Sequence, residues 1–450
     1  MDNIYPVNLP KDFYPMVDKL SKEIKQAIFA RIDEAVTNNE WEYAQDIKFN
    51  PKDINFIAYW LYKAAKASRK PFEGSNLEEI FKPFQKTYMK VNKGVEVKSS
   101  YRVSTVGDLM MAKYIEESKD FLYSEVQEHI FGADFKFANL ESTITDQEIE
   151  NLVVKDMNDS PKINITKSEY RTLVAHNDRK YDLVELANNH ILDCGGDGIN
   201  LTLDALKEDG IGFIGAYETE EESKQIVTKQ IGDIKVGFIN HTFGVNAKEF
   251  PEGKEWLVDM TDFHTGDNAD ISKILHQVEQ AKSKCDLVFL VLHWGLEHEL
   301  FPHPAQREWA QKFADAGADV IIGHHPHVIQ PYELLTTGDS KKVPVFYSLG
   351  NLTPPGSSAH TVLSYIANFT IARQADGKAI VTELGATPTV FVEQREEETK
   401  GLLVPLSKLN SLDVNSDTRS YIGEINKYAK LIFGDEHLED GLMKMEVVKK

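Results

Sequence analysis

Apolar and polar positions change their period once, near residue 97. Over residues 20–36 the apolar Ile24, Ile28 and Ile32 recur every fourth position, the spacing of one helix face. Pro51 opens a second helical stretch, KDINFIAYWLYKAAKAS, and Asn76 stands where it would cap a third through LEEIFKPFQKTYMKV. Beyond residue 97, short β-branched and aromatic runs alternate with helical periods, giving expected strands at 102–107, 135–140, 183–187, 235–240, 287–292, 320–322 and 343–347. The helix expected over 198–209 sets Ile199, Leu203 and Leu206 on one face and stops at Gly210. The one over 304–316 begins at Pro304, sets Trp309, Phe313 and Ala316 on one face, and stops at Gly317. An amphipathic stretch follows at 420–433. Strand–helix alternation of this kind implies an α/β domain with a largely buried sheet over 97–395. A helical N-terminal extension (1–96) and a helical tail (396–450) flank it. The extension is expected to pack onto the main domain, with binding to a partner or self-association as the alternative.

Composition adds a bound on function. The chain has 450 residues, 42% of them apolar, and its 71 acidic against 50 basic side chains leave a net charge of −21. Binding of nucleic acid relies on a basic footprint, so the charge argues against a general polyanion binder. The acidity is local: residues 1–96 are near neutral, 396–450 carry −3, and 97–395 hold −19. Cys194 and Cys285 make no disulfide framework. The apolar run 285–292 is interrupted by Asp286 and is far shorter than the roughly 20 residues of a spanning helix. The first 15 residues lack the basic start and apolar core of a secretory signal. The expectation is a cytoplasmic protein with no integral membrane segment, or a membrane-associated or extracellular one if an anchor has been removed.

Chemistry-bearing residues sit at the ends of the expected strands. Asp108 follows 105–107, Glu141 follows 137–140, and Asn188, Asn189 and His190 follow 186–187. His293 follows 291–292, His324, His325 and His327 follow 321–323, and Asn351 closes Ser348-Leu349-Gly350-Asn351. In α/β sheets ligands collect outside the carboxyl ends of strands, so these residues would converge. Six of the 14 histidines fall within residues 293–327. Singly, Asp108 or Glu141 suits a turn cap and His293 a core position; together they indicate a metal site. Imidazoles with carboxylate and amide oxygens suit divalent Mn, Fe or Zn. The lack of a cysteine cluster argues against structural zinc or iron–sulfur. His241 also ends a strand but reads as structural.

The segments TVGDLMMA, FANLESTIT, ELANNHILDCGGDGI, DALKEDGIGFIGA, HTFGVN, VLHWGLEHE, AGADVIIGHHPHVIQPYE and FYSLGN occur in this order over roughly 97–395. They resemble the bacterial capsule-synthesis CapA family, the poly-γ-glutamate biosynthesis proteins. That family is similar in turn to the calcineurin-like metallophosphoesterases, which implies a four-layer α/β/β/α sandwich holding two metal ions. By this resemblance Glu141 would bridge the metals, with Asn189, His293 and His325 on one and Asp108 and His327 on the other. His190 would donate a proton to a leaving oxygen. Asn188, Glu297, His324 and Asn351 are the candidate substrate contacts.

One position departs from the superfamily pattern: the histidine usual two residues after the first aspartate is here Met110, a poor ligand for a borderline ion. The resemblance implies a metal-dependent enzyme that hydrolyses or transfers an amide or phosphoryl group of an anionic, carboxylate-rich peptide or polymer. Poly-γ-glutamate is the substrate the family suggests. The same site would also suit a peptide epimerase with His190 as the base, or a non-catalytic component of a capsule assembly complex.

Overall fold

The computed structural model describes residues 17–47, 50, 52–156, 159–356, 358–395, 399–412, 414 and 416–448. The N-terminal stretch read for a signal, Pro51 and the acidic run 396–398 lie outside the described residues. Helices α1 (Lys22–Thr37) and α2 (Ile54–Ala65) come first, capped by the side chains of Ser21 and Asp53. Then follow β1 (Tyr88–Lys90), β2 (Val97–Leu109), β3 (Phe135–Leu140), β4 (Leu183–Glu185), α3 (Gly195–Glu208) and β5 (Gly212–Ile214). The next group is β6 (Val227–Ile231), β7 (Ile234–Thr242), α4 (Ser272–Lys282), β8 (Leu287–His293), α5 (Pro304–Ala316) and β9 (Val320–His324). The chain continues through β10 (Tyr332–Thr336), β11 (Lys342–Phe346), β12 (Asn351–Thr353), β13 (Leu363–Gln374), β14 (Ala379–Arg395) and β15 (Thr399–Pro405). Helices α6 (Ser416–Phe433) and α7 (Gly441–Val448) close it.

The strands form two large sheets in a mixed α/β fold. One runs β1-β14-β13-β2-β3-β4-β5, with β12 beside β2 and β15 beside β14; the other runs β6-β7-β8-β9-β11-β10. Strands β2 to β5 are mutually parallel, as are β7, β8, β9 and β11, so each group ends its carboxyl termini on one edge. The period of two explains how the sheets meet. Phe137 on β3 packs its ring against Phe238 on β7 and Phe289 on β8, and Phe289 also meets Phe369 on β13. The next residue, Ala138, points the other way, into a second core with Ile199, Leu203 and Leu206 of α3. Gly210 and Gly317 follow α3 and α5 with positive φ, as expected of helix stops.

The flanks differ from their all-helical reading. The third N-terminal helix ends at Phe81 with a 3₁₀ turn through Phe84, because Pro83 supplies no amide donor. Asn76 precedes it in the left-handed conformation without a side-chain cap bond. Residues 88–90 then pair with β14, and β15 pairs with β14 from the other flank. The sheet therefore takes a strand from each side of the central segment. Helices α1 and α2 turn their apolar faces on one another: Ile28, Phe29, Ile32 and Ala35 form a separate core with Ala58, Tyr59 and Leu61. The apolar faces that these two helices turn on one another are thus buried within the chain. Among the described residues no helix is long and apolar enough to cross a membrane.

Candidate metal centre

Parallel registry brings the strand-end residues together. His293 ends β8 beside His324, which ends β9, and Asn351 opens β12 beside Asp108 of β2. The chain past β9 turns sharply, with His325 at φ 95° and His327 at φ 56°. Left-handed backbone costs a non-glycine residue roughly 1–3 kcal/mol, and here it sets two imidazoles on the same side as Glu141. Asp108, Glu141, Asn189, His293, His325 and His327 are all buried.

Glu141 is the hub. Its Oε1 lies 3.5 Å from His293 Nε2, 3.6 Å from His327 Nε2 and 4.0 Å from His190 Nε2. None of these closes a hydrogen bond, and the buried Oε1 has no hydrogen-bond partner. An unpaired buried carboxylate oxygen is costly unless something else satisfies it. Ligands ~2.1 Å from a tetrahedral ion lie ~3.4 Å apart, so the spacing suits donors around a common cation. The ligand atoms of Glu141, His293 and His325 lie within 4.8 Å of one another, and so do those of Asp108, Glu141 and His327. The two groups share Glu141. A third group of the same kind joins Glu297, His325 and His327.

Protonation is divided among the cluster residues in the metal-free protein. Burial and the neighbouring histidines drive His293 and His325 well below the ordinary imidazole range, which leaves them neutral with a lone pair to offer. Burial pushes Glu141 up to about 8 in the metal-free protein. Burial also acts to raise Asp108, yet the imidazoles of His324 and His327 hold its carboxyl well below the ordinary value. His327 Nδ1 lies 2.9 Å from Asn351 Oδ1, an acceptor that fixes a proton on Nδ1 and turns Nε2 toward Glu141; burial opposes its charge, but Glu141 and Asp108 raise the imidazole to about 10, so a metal would displace the Nε2 proton. His293 Nε2 lies 2.8 Å from Asn189 Oδ1. The donor set and the unpaired Glu141 oxygen therefore fit divalent ions, with no single metal indicated.

The remaining candidates take several places. His190 Nδ1 lies 2.6 Å from Asp193 Oδ2, which leaves Nε2 facing Glu141. Burial opposes its charge, but Asp193 raises it above the ordinary imidazole value. His324 is held behind Asp108, its Nδ1 2.7 Å from Asp108 Oδ1 and its Nε2 3.2 Å from Glu185 Oε2. The amide of Asn188 donates to Asn139 Oδ1 and Leu140 O, and its own oxygen accepts from the His190 amide. Contact with a substrate was expected of His324, Asn188 and Asn351; all three are buried, with His324 Nδ1, the side-chain amide of Asn188 and Asn351 Oδ1 turned on neighbouring residues. Glu297 does face the cavity: one oxygen lies 4.0 Å from His327 Nε2 and the other accepts from the Trp60 indole. His241 is structural as expected, bonded to Thr261 and Gln277.

Three supporting residues escaped the sequence reading: Asn139, Glu185 and Asp193. Asn139 donates to Asp108 Oδ1 at 2.8 Å, and it sits two residues before Glu141, on the same face of its strand. Asp193 sits one turn after His190. Both spacings were available as signals, whereas nothing local marks Glu185.

Fold and site together define an α/β protein that carries a buried histidine–carboxylate cluster of metal-centre type at the carboxyl ends of its parallel strands. The model of the bacterial capsule synthesis protein PGA_cap family matches residues 102–354, and the chain belongs to that family. It is 30% identical over 263 residues to the capsule biosynthesis protein CapA of Bacillus anthracis, across 55% of this chain and 58% of that one. It is 27% identical over 294 residues to the PGA biosynthesis protein CapA of Bacillus subtilis (strain 168), across 63% of this chain and 72% of that one. The match thus spans less than two thirds of the Bacillus anthracis protein. A solved structure of a hypothetical protein from Thermus thermophilus aligns with 63% of this chain and 99% of its own at 14% identity, with a TM-score of 0.32.

Proposed function

We propose that the protein is a metal-dependent hydrolase or transferase acting at an amide or phosphoryl centre of a carboxylate-bearing peptide or polymer, in the chemistry of poly-γ-glutamate capsules. The observation that carries this is the buried Glu141 Oε1, without a hydrogen-bond partner and ringed by three imidazole nitrogens. Glu141, Asn189, His293 and His325 would hold one divalent ion, Mn, Fe or Zn; Glu141, Asp108 and His327 would hold a second. Glu297 would take up the coordination that Met110 leaves. Such ions polarise a carbonyl or phosphoryl oxygen and activate water near neutral pH.

The chain's own residues would do the rest. Asp193 keeps His190 basic and fixes its ring, so Nε2–H is placed to protonate a leaving group. Asn351 and His324 hold His327 and Asp108 in their liganding orientations. In this reading residues 97–395 form the catalytic unit, built as a metallophosphoesterase-like four-layer sandwich, with 1–96 and 396–450 as its flanks. Family membership supports the capsule context, since two relatives bear capsule or PGA biosynthesis names.

The test is elemental analysis of protein purified without chelators, with turnover measured on phosphodiester and γ-glutamyl substrates. About two divalent ions per chain are expected, and His293→Ala should lose metal and activity together. Protein that binds no divalent metal, or keeps full activity after His293→Ala, would sink the reading.

A further inference from the structure

The metal-ligand cluster opens into a cavity whose two walls differ in character. One wall is Asn189, His190, His325 and Glu297; the other is the N-terminal layer, with Leu20, Ile47, Phe56, Ile57, Trp60 and Leu61. The cavity measures about 140 Å³. An apolar cavity of roughly 150 Å³ stays dry and takes up benzene, so this one has room for a single leucine or phenylalanine side chain.

Away from the metal ligands, its described lining residues offer a second glutamate no uncommitted Lys or Arg. Lys63 is the one Lys or Arg among the described lining residues, and it is committed to Glu299 at 2.9 Å with both side chains buried. Of the two further lining acids, Glu297 would serve the metal in the reading above, and Asp159 would repel a carboxylate. Most of the apolar lining lies outside residues 102–354, the segment that matches the family model; Val154, Pro161 and Leu296 lie within it.

We propose that the substrate presents an apolar side chain of leucine or phenylalanine size directly beside the reacting bond, and that the N-terminal layer selects it. The proposal rests on the metal-centre reading only for where the reacting bond lies. A uniform glutamate polymer would then be a poor occupant, and a γ-glutamyl amide followed by an apolar residue a good one.

Isothermal titration of the full chain, metal-free and Mn-loaded, compares γ-glutamyl-leucine and γ-glutamyl-phenylalanine with γ-glutamyl-glutamate. The apolar dipeptides should bind about tenfold or more tighter than γ-glutamyl-glutamate in both states, as expected from burying one apolar side chain. Ile57→Glu, with folding checked by thermal melting, should erase that ratio, and Ile57→Ala should reduce it several-fold. If Ile57→Glu does not fold, Ile57→Ala carries the test. Equal or tighter binding of γ-glutamyl-glutamate, no binding of any dipeptide, or an unchanged ratio in a folded variant would overturn the proposal. An apolar preference in protein that takes up no metal would sink the metal reading alone, and metal uptake without the preference would sink this one alone.

Discussion

At the scale of single residues, the centre is built in two tiers. The atoms that could hold a cation belong to Glu141, Asp108, His293, His325 and His327; behind them Asn351, His324, Asn139 and Asp193 bond to and orient the cluster and His190. The outer tier has a testable weight. Asn351→Ala removes the acceptor that holds the His327 proton on Nδ1, so metal affinity should fall ~10–100-fold. Asn351→Asp keeps an acceptor there and should bind metal far more nearly as the wild type does. Competition with a chromophoric chelator measures both, and equal affinity in all three proteins would remove Asn351 from the positioning role.

At the scale of elements, the helix ends show how short-range chemistry ties the flanks to the sheets. Asp440 caps α7, its Oδ1 accepting from the amides of Leu442 and Met443 and from the Thr387 hydroxyl of β14. Its Oδ2 lies 2.7 Å from His129 Nε2. Burial acts to raise Asp440, but these bonds, His129 foremost, hold its carboxyl below the ordinary 3.8. A carboxyl lowered by folding stabilises the protein fully above its unfolded value, and that contribution is lost as the pH falls through the lower folded value. Asp440→Asn should therefore lower Tm at pH 7, with the gap to wild type closing below about pH 4. A gap that stays constant down to about pH 2 would show that the ionised carboxylate is not the stabilising form.

At the scale of the whole molecule, the N-terminal layer is fastened over the centre by a buried ion pair. Lys63 Nζ on α2 lies 2.9 Å from Glu299 Oε1, which also accepts from the Tyr59 hydroxyl, and the backbones of Ser68, His298 and Leu300 bond across the same seam. Breaking one half of such a pair leaves a buried charge without its counterion, at a cost of roughly 3–5 kcal/mol. Lys63→Met should expose α1 and α2 to limited proteolysis and lower the midpoint of urea unfolding. Lys63→Met combined with Glu299→Gln should recover much of that loss. A single variant as resistant as wild type would mean that the apolar contacts alone hold the layer in place.

The strands at 135–140 and 287–292, the helices at 198–209 and 304–316, and the convergence of Asp108, Glu141, Asn189, His293, His325 and His327 were legible in the chain. Period, punctuation and strand-end position are local properties, and parallel α/β topology converts them directly into a shared edge. The family relationship was legible for the same reason, because its motifs are those strand ends. Other features depended on partners distant in sequence. The strand at 88–90 exists because β14, some 295 positions later, offers it an edge to pair with. His324 became a support for Asp108 because burial left it between two carboxylates, and Glu297 joined the cluster because the chain after β8 folds back over it. Above all, only the tertiary structure decided that helices with no chemical motif of their own would roof the histidine–carboxylate cluster. Apolar periodicity says that a helix face is buried, and packing alone says against what.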